Sequence, residues 1–238
     1  MTANFTTGIP EIDRITGSKM RNGSFLLISG NDDEGMSAFL AEIEKSMERP
    51  AEREKSSPKS CEIIKPNSKD VKNQMNSANI SGFSSKSENY QQIYIIESLS
   101  EFFYDENLTD ENLFKSPHDE NEKLEIEKKE AELILLIRRI KDGEKQKREA
   151  QKKEKLRIKD GDRFYIGCLC DNILTPSVEN RIKYLADSHF QFRMAEIGNI
   201  FERTLLIHKN KDGEAGGKIL KYTLDGGKIQ IENKKRIY

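Results

Sequence analysis

The chain has 238 residues, which is enough for one sizeable α/β domain that buries a core without disulfide or metal staples. Charged residues make up 34% of it, yet the net charge is only −1, which argues against nucleic acid or an anionic membrane as a partner. The first ten residues are polar, and no apolar run approaches the ~20 residues that span a bilayer. We therefore expect a cytoplasmic protein with no membrane partner.

The beginning of the chain predicts a helix, a strand and a second helix. Residues 10–15 form the first helix, and a glycine-containing turn follows. The apolar run "SFLLIS", residues 24–29, is typical of a strand buried on both faces of a parallel sheet. Residues 37–47 predict the second helix, with three apolar residues on one side: Phe39, Leu40 and Ile43.

The segment between this strand and the second helix has the layout of a phosphate-binding loop. Gly30, four residues, Gly35 and then Ser37 follow the strand in that order. Such a loop aims backbone N–H groups and a helix N-terminus at phosphate, and its Ser or Thr hydroxyl holds Mg²⁺. Met36 stands where a lysine would neutralise the phosphates, so this position carries no charge.

Three acidic residues lie inside the same loop, namely Asp32, Asp33 and Glu34. Each carboxylate close to a polyanion costs ~1–4 kcal/mol, depending on the effective dielectric. Two interpretations remain open at this point. The loop either binds ATP and Mg²⁺ with weak affinity, or serves only as a turn whose acidic residues support the helix dipole.

The rest of the chain alternates strands with helices and ends in strands. Strands are predicted within "CEIIKP", "QIYIIESLSEFF" and "DRFYIGCLCDNIL", and helices over residues 68–80, 124–140 and 175–187, the last with Thr175 as its N-cap. Four short strands follow, in "SHFQFRM", "ERTLLIHKN", "KILKYTLDG" and "GKIQIEN". This order predicts an α/β fold whose mainly parallel central sheet is flanked by helices and has an antiparallel C-terminal edge.

We assign residues 1–238 to a single domain that carries three polar segments. Residues 48–60 and 104–122 are predicted loops, since they are rich in polar and charged residues. Residues 141–160 are highly charged and almost without apolar residues, and predict a protruding or disordered extension.

The cysteines and two of the histidines do not predict a reactive centre. Cys168 and Cys170 share one face of a predicted strand, but no further Cys or His completes a zinc site, so we interpret them as buried thiols. His189 and His208 lie on predicted strands without a nucleophile nearby, and we expect packing roles for both.

Several stretches together resemble one family. "TGIPEIDRITG", "RNGSFLLISG" and the loop from Gly30 to Ser37 resemble the opening of RecA/KaiC-like ATPase domains, above all the single-domain archaeal members, with a degenerate Walker A motif. "IYIIESLSEFF" is similar to the Walker B strand, and "ERTLLIHKNKDG" to the C-terminal hairpin. The resemblance implies a RecA-like P-loop fold, a ring or filament of subunits, and ATP bound between neighbours.

The resemblance also assigns roles to individual residues. Glu97 stands at the Walker B position that holds the metal, and Lys209 and Lys211 stand where the family reaches a neighbour's phosphate with a Lys-x-Arg pair. The catalytic glutamate would follow the "CEII" strand, but Lys65 stands there. No general base is visible, and we therefore assign no catalytic residue.

The sequence leads to three hypotheses for the function. The first is a catalytically inactive or strongly impaired KaiC-like homologue that acts as a regulatory or scaffolding subunit, in a homo-oligomer or with a KaiC-like paralogue. The second is an active ATPase with a substitute lysine, for which Lys19 is a candidate. The third is a recombinase-paralogue mediator that binds DNA, which the balanced charge disfavours.

Overall fold

The computed structural model of the chain describes residues 6–17, 23–31, 34–48, 61–65, 91–99, 124, 127–142, 163–171, 173–211 and 216–232. The predicted helix over residues 68–80 and the predicted loop over residues 104–122 lie outside these ranges, as do Lys19, Asp32 and Asp33.

Four helices and eight strands make up the described part of the chain. The helices are α1 (Pro10–Thr16), α2 (Met36–Glu48), α3 (127–142) and α4 (Pro176–Leu185). The strands are β1 (Ser24–Ser29), β2 (Cys61–Ile64), β3 (Gln91–Ile96), β4 (Arg163–Leu169), β5 (Ser188–Ile197), β6 (Ile200–Asn210), β7 (Lys218–Asp225) and β8 (Lys228–Ile231).

All eight strands belong to one sheet, in the order β2-β3-β4-β1-β5-β6-β7-β8. The neighbouring strands β2, β3, β4, β1 and β5 are parallel to one another. The strands β5, β6, β7 and β8 pair antiparallel and form one edge of the sheet. Strand β1 lies between two parallel partners, and Leu26 is paired with Ile166 on one side and Ser188 on the other. The predicted fold class is confirmed.

The sheet separates two apolar clusters. Leu26 and Ile28 of β1 face the cluster that contains residues of α1, α2 and the antiparallel edge. Phe25 and Leu27 point the other way, into the cluster formed with α3 and α4. All six residues of β1 are buried, as the continuous apolar run predicts. Cys168 and Cys170 both pack on the α1/α2 side, with Cys168 buried and Cys170 only partly buried.

The aromatic residues of β5 hold α2 on the sheet. Phe39 of α2 lies 6.1 Å from Phe190 and 5.3 Å from Phe192, measured between ring centroids. Tyr222 of β7 meets Phe192 edge-on at 5.6 Å. These contacts bury the predicted apolar side of α2 and fix the direction in which the helix leaves the end of β1.

The first turn of α4 differs in detail from its prediction. Thr175 does occupy the N-cap position, and Pro176 follows it, but the Thr175 side chain makes no capping bond. Its hydroxyl donates to Oε2 of the buried Glu130 at 3.1 Å, and its N–H donates to Oε1 at 3.0 Å. The long-range partner on α3 satisfies the hydroxyl, so α4 is positioned by α3 rather than by its own cap.

Residue ranges at two helix ends also differ from their predictions. Glu48, where the polar segment is predicted to begin, is the last residue of α2, and residues 49–60 lie outside the described part. Lys141 and Asp142 belong to α3, whereas the charged extension is predicted to start at residue 141. Lys141 is held at the sheet because its ammonium group donates to the Leu185 carbonyl and pairs with Asp187 at 3.1 Å. Residues 143–160 are outside the described ranges.

Asp187, between α4 and β5, contacts β1, α3 and the residue that follows β6. Its carboxylate accepts the N–H of Phe25 at 3.1 Å and pairs with Lys141 and with Lys211 at 3.4 Å. Its own N–H donates to the Phe25 carbonyl at 2.9 Å. Burial raises the pKa of this carboxyl group. The Phe25 N–H and the two ammonium groups together lower the pKa by more than burial raises it, so the pKa lies below its ordinary value.

We expect Asp187→Asn to lower the free energy of unfolding by about 2 kcal/mol at neutral pH, because two ammonium groups lose a buried counter-charge. Because the folded-state pKa is depressed, this stabilisation is present above the unfolded pKa and is lost as the pH falls through the folded value. Urea unfolding should therefore show a constant difference in the free energy of unfolding between the two proteins from about pH 7 to about pH 5, and a difference that narrows as the pH falls below about 4.

The exposed Asp225 provides the control for this prediction. Its replacement by Asn should change stability by less than about 0.5 kcal/mol, as surface substitutions usually do. A difference between wild type and Asp187→Asn that stays constant over the acid range would contradict the prediction.

Candidate functional site

The candidate site is the loop that joins β1 to α2 at the carboxyl edge of the parallel strands. Gly30 follows β1 directly, and its N–H donates to the Leu169 carbonyl at the end of β4 at 3.2 Å. The Glu34 N–H donates to the Asn31 carbonyl at 3.1 Å, and α2 begins two residues later. This is the position in an open α/β sheet at which ligands usually bind.

Close packing explains why both loop glycines are required. Gly30 and Gly35 have φ angles of 139° and 111°, which residues with a side chain rarely adopt. A Cβ atom on Gly30 would lie 2.8 Å from the Phe192 carbonyl oxygen, and one on Gly35 would lie 3.2 Å from the Tyr222 ring. The loop is therefore pressed against β5 and β7.

The carboxylate of Glu34 turns back into the loop. Its Oε2 accepts the N–H of Asn31 at 2.8 Å, and a Cβ atom on Gly30 would lie 2.9 Å from the same oxygen. The Tyr222 hydroxyl donates to the Glu34 carbonyl from the other side. A phosphate-binding loop presents its backbone N–H groups to the anion, and here a carboxylate of the protein itself takes one of them.

Met36 and Ser37 occupy the next two positions of the motif. The Met36 side chain is only 3% exposed and belongs to the apolar cluster on the α1/α2 side of the sheet. Ser37 is exposed in the first turn of α2. Ser37 therefore lies at the surface of the protein. Met36 contributes an apolar side chain to the core at the position where binding of phosphate needs a cation.

Glu97 lies just past β3 and is paired with a lysine. Lys65 follows β2, the parallel neighbour of β3, and its Nζ lies 2.7 Å from Glu97 Oε1 and 2.7 Å from Glu44 Oε1. Hydrogen bonds to Glu44 and Glu97 raise the pKa of Lys65 above its usual value, and the bond to Glu44 has the larger effect. In the part of the chain that the structure describes, no group of three His, Cys, Asp or Glu side chains is arranged to hold a metal ion.

Lys209 and Lys211 lie on the side of the sheet where the parallel strands begin, opposite the loop. The Lys209 ammonium group donates to the carbonyls of Ala186 at 2.5 Å and Tyr184 at 3.1 Å, at the end of α4. Burial and the nearby Lys141 charge lower its pKa. Lys211 is 59% exposed and pairs only loosely with Asp187, at 3.4 Å. The two lysines thus differ, since Lys209 is bound to its own chain and Lys211 reaches solvent.

A polar network beside the loop was not predicted. Ser29 Oγ and His189 Nε2 are 2.8 Å apart, and the His189 ring stacks on His208 at 4.8 Å. His208 Nε2 bonds Gln191 Oε1 at 2.8 Å, and Gln191 donates to Asp171 at 3.1 Å. Burial, followed by the His208 and lysine charges, lowers the pKa of His189 to about 3.

This network has a structural role. Ser29 and His189 are both buried, so neither side chain can reach a substrate. The packing role expected for the two histidines agrees with their mutual stacking. The alternation of side chains along β5 predicts that His189 and Gln191 lie on one face of the sheet. Their contacts with Ser29 and His208 do not follow from that pattern, because they depend on β1 and β6 being the neighbours of β5.

The sheet order and the loop at its switch point define a P-loop fold of the RecA-like type. Searches against protein-family models and curated protein sequences find no match. Among the helices of the described residues, none combines the length and apolar character that crossing a bilayer requires.

The solved structures that share this fold include two that superpose over nearly the whole chain. The KaiC-like protein PH0186 of the hyperthermophilic archaeon Pyrococcus horikoshii OT3 superposes with a TM-score of 0.55 at 12% identity, over 98% of this chain and 100% of the other. The flagellar accessory protein FlaH of Methanocaldococcus jannaschii superposes with a TM-score of 0.52 at 14% identity, over 98% and 99%. At such identity the likeness concerns the fold, and the mixed sheet with flanking helices is the RecA-like fold of these two proteins.

We expect Tyr222→Phe to lower the free energy of unfolding by about 1 kcal/mol, because the Glu34 carbonyl loses the only donor that β7 offers it in the described residues. Amide hydrogen exchange in the loop and the first turn of α2 should become faster, since the loop is then held by fewer contacts. Tyr184→Phe is the matched control, because Tyr184 is 83% exposed and should show neither effect. Unchanged exchange in Tyr222→Phe would contradict the role given to this hydroxyl group.

Proposed function

We propose that this chain is a KaiC-like subunit that does not hydrolyse ATP and that acts as a regulatory or scaffolding component of an assembly. The observation that carries the proposal is Met36, which stands in place of the phosphate-binding lysine with its side chain buried in the core. Without that cation, the β- and γ-phosphates lose their main protein counter-charge, and the transferring phosphoryl group loses its electrostatic stabilisation.

Glu34 supports the same proposal from inside the loop. A phosphate that entered the loop would have to displace the Glu34 carboxylate from the Asn31 N–H, and would then lie beside a negative charge. The neighbouring Asp32 and Asp33 add charge of the same sign. Displacement therefore costs the internal hydrogen bond and adds repulsion, so affinity for nucleotide should be weak at best.

The ion pair between Lys65 and Glu97 supports the loss of catalysis. Lys65 takes the place at which the family resemblance puts a catalytic glutamate, and a protonated lysine cannot accept a proton from water. Its contact with Glu97 neutralises the acid expected to hold the metal shell. One lysine thus opposes both proton abstraction and Mg²⁺ binding.

The direct test is a phosphate-release assay with ATP and Mg²⁺ on the purified protein. We expect turnover no faster than buffer, because the lysine, the base and the metal ligand are each missing or neutralised. Ser37→Ala is the matched control, since it removes the hydroxyl group that an active loop needs. Turnover in wild type that disappears in Ser37→Ala would overturn the proposal and favour the active ATPase.

A second experiment tests the cause of the inactivity. The charge-neutral loop variant Asp32→Asn/Asp33→Asn/Glu34→Gln should bind labelled ATP more tightly than wild type, and adding Met36→Lys should tighten binding again. Since Met36 is buried, thermal unfolding of each variant must be measured alongside, with Met36→Leu as the size-matched control. Folded variants that still bind no nucleotide would show that the loop geometry, rather than its charge, prevents binding.

The regulatory role requires a partner, for which we propose further copies of this chain or an active KaiC-like paralogue. Of the two hairpin lysines, Lys211 is the one that can act on a neighbour's nucleotide, because Lys209 already caps α4. A trans-acting cation contributes strongly to phosphoryl transfer, although a lysine lacks the planar fork of arginine.

The expected result is that Lys211→Ala changes the effect of this protein on the turnover of such a paralogue from the same cell. Lys218→Ala serves as a control on an exposed lysine of the adjoining strand β7. Equal effects of wild type and Lys211→Ala on the paralogue's turnover, or no complex in light scattering, would exclude the trans-acting role. Neither result bears on whether this chain itself hydrolyses ATP, which the phosphate-release assay tests.

A further inference from the structure

A shallow groove lies between α3 and α4. It has a volume of about 220 Å³ and is lined by one residue of α3 and four of α4: Arg138, Asn180, Arg181, Tyr184 and Leu185. We name it the α3/α4 groove. It is smaller than the ~300–1,000 Å³ of typical small-molecule pockets. Its size therefore fits one or two apolar side chains rather than a metabolite.

The groove combines positive charge with exposed apolar surface. Arg138 and Arg181 are both exposed, and no carboxylate is among the described residues that line the groove. Tyr184 is 83% exposed, and the Lys209 ammonium group lies 5.8 Å from the centroid of its ring, which adds a third cation. Tyrosine and arginine are enriched where protein surfaces associate. The groove therefore favours an occupant that is acidic and carries large apolar side chains.

One segment of this chain has that composition. Residues 100–123, which we name the acidic segment, lie outside the described ranges and contain eight acidic residues and two lysines, a net charge of −6. The other long stretches outside the described ranges carry net charges of +2, +1 and +3, over residues 49–60, 66–90 and 143–162 respectively. Charge complementarity therefore selects the acidic segment among them.

The acidic segment contains a repeated tetrapeptide. The sequence Asp-Glu-Asn-Leu occurs at residues 105–108 and again at residues 110–113. Thr109 follows the first copy, whereas Phe114 follows the second, so the second copy ends in two adjacent large apolar side chains, Leu113 and Phe114. The second copy is therefore the better match for a groove that holds one or two such side chains beside two arginines.

The acidic segment is long enough to reach the groove of its own chain. Leu99, just before it, is bound to the end of β4 by a hydrogen bond of 2.7 Å, and Leu124, just after it, precedes α3. Arg138 lies ~16 Å along α3 from the start of that helix, at 1.5 Å per residue. Phe114 is ten residues before Leu124 and fifteen after Leu99, and these lengths span up to ~33 Å and ~50 Å.

We propose that the second Asp-Glu-Asn-Leu copy of the acidic segment docks in the α3/α4 groove of its own chain. Leu113 and Phe114 cover Tyr184, and the two carboxylates of the same copy lie beside the two arginines of the groove. A tether of this length gives an effective concentration of ~1 mM, so a contact with a dissociation constant of ~100 μM is occupied in about nine molecules in ten. The inference goes beyond the proposed function, since a chain that hydrolysed ATP could bind its own segment in the same way.

A tryptophan in the groove reports its occupancy, because the natural chain contains none. Tyr184→Trp in the full chain keeps an aromatic ring in the groove, and quenching of its fluorescence by the neutral molecule acrylamide measures the exposure of the indole. Adding Leu113→Ser/Phe114→Ser should raise the quenching constant about twofold or more, because the groove is then largely unoccupied. Leu108→Ser, in the first copy, is the matched control and should leave the constant unchanged.

A charge reversal tests the pairing of the groove with the acidic segment. In the Tyr184→Trp background, Arg138→Glu/Arg181→Glu should raise the quenching constant as the serine pair does. Adding Asp110→Arg/Glu111→Arg should restore the shielding, because the charges of both partners are then reversed. An unfolded variant would not be rescued in this way, so the rescue separates loss of docking from loss of the fold.

Three results would overturn the proposal. A quenching constant that the serine pair leaves unchanged would mean that the acidic segment does not cover the groove. A rise caused by Leu108→Ser alone would assign the contact to the first copy instead. Shielding that increases with protein concentration from ~1 to ~100 μM would identify a second chain as the source of the occupant, since docking within one chain does not depend on concentration. No nucleotide is present, so these outcomes are distinguishable from any ATPase result.

Discussion

The burial of β1 between two parallel strands is the constraint on which the rest of the structure depends. Its six residues are inaccessible to solvent, and its side chains alternate between the two apolar clusters. Each helical layer therefore packs against this strand, with α2 on one side and α3 and α4 on the other. The loop after β1 must then emerge at the carboxyl ends of the parallel strands, between β4 and β5, whether or not it binds a ligand.

The packing of the loop gives the glycines of a nucleotide-type motif a role that does not depend on phosphate. Gly30 and Gly35 are required by the approach of Phe192 and Tyr222, so their spacing reports contact with β5 and β7 as much as any phosphate. Met36 contributes to the core at the position where a lysine would need to reach an anion. The two glycines and the methionine therefore all contribute to the packing of the fold.

Local patterns predicted the fold well, because apolar periodicity reports burial directly: β1, the amphipathic α2 and the antiparallel tail all appear where the sequence places them. The site was harder to predict because its contacts join distant residues. Tyr222 and Glu34 are 188 positions apart, and the ion pair of Lys65 with Glu97 exists because β2 and β3 are parallel neighbours. The different uses of Lys209 and Lys211 follow from the end of α4, which a hairpin motif does not describe.

The two edges of the sheet have unlike roles, and this asymmetry bears on how the chain would be controlled. The carboxyl edge holds the closed loop, whereas the other edge holds Asp187 and Lys211. A ligand can shift an assembly only by its differential affinity for the associated state. In the function proposed for this chain, Glu34 takes a phosphate's place on Asn31, and nucleotide then has little differential affinity to contribute. Under that proposal, association of the subunit depends on its side-chain contacts, and the controlling variable is the concentration of the protein rather than that of ATP.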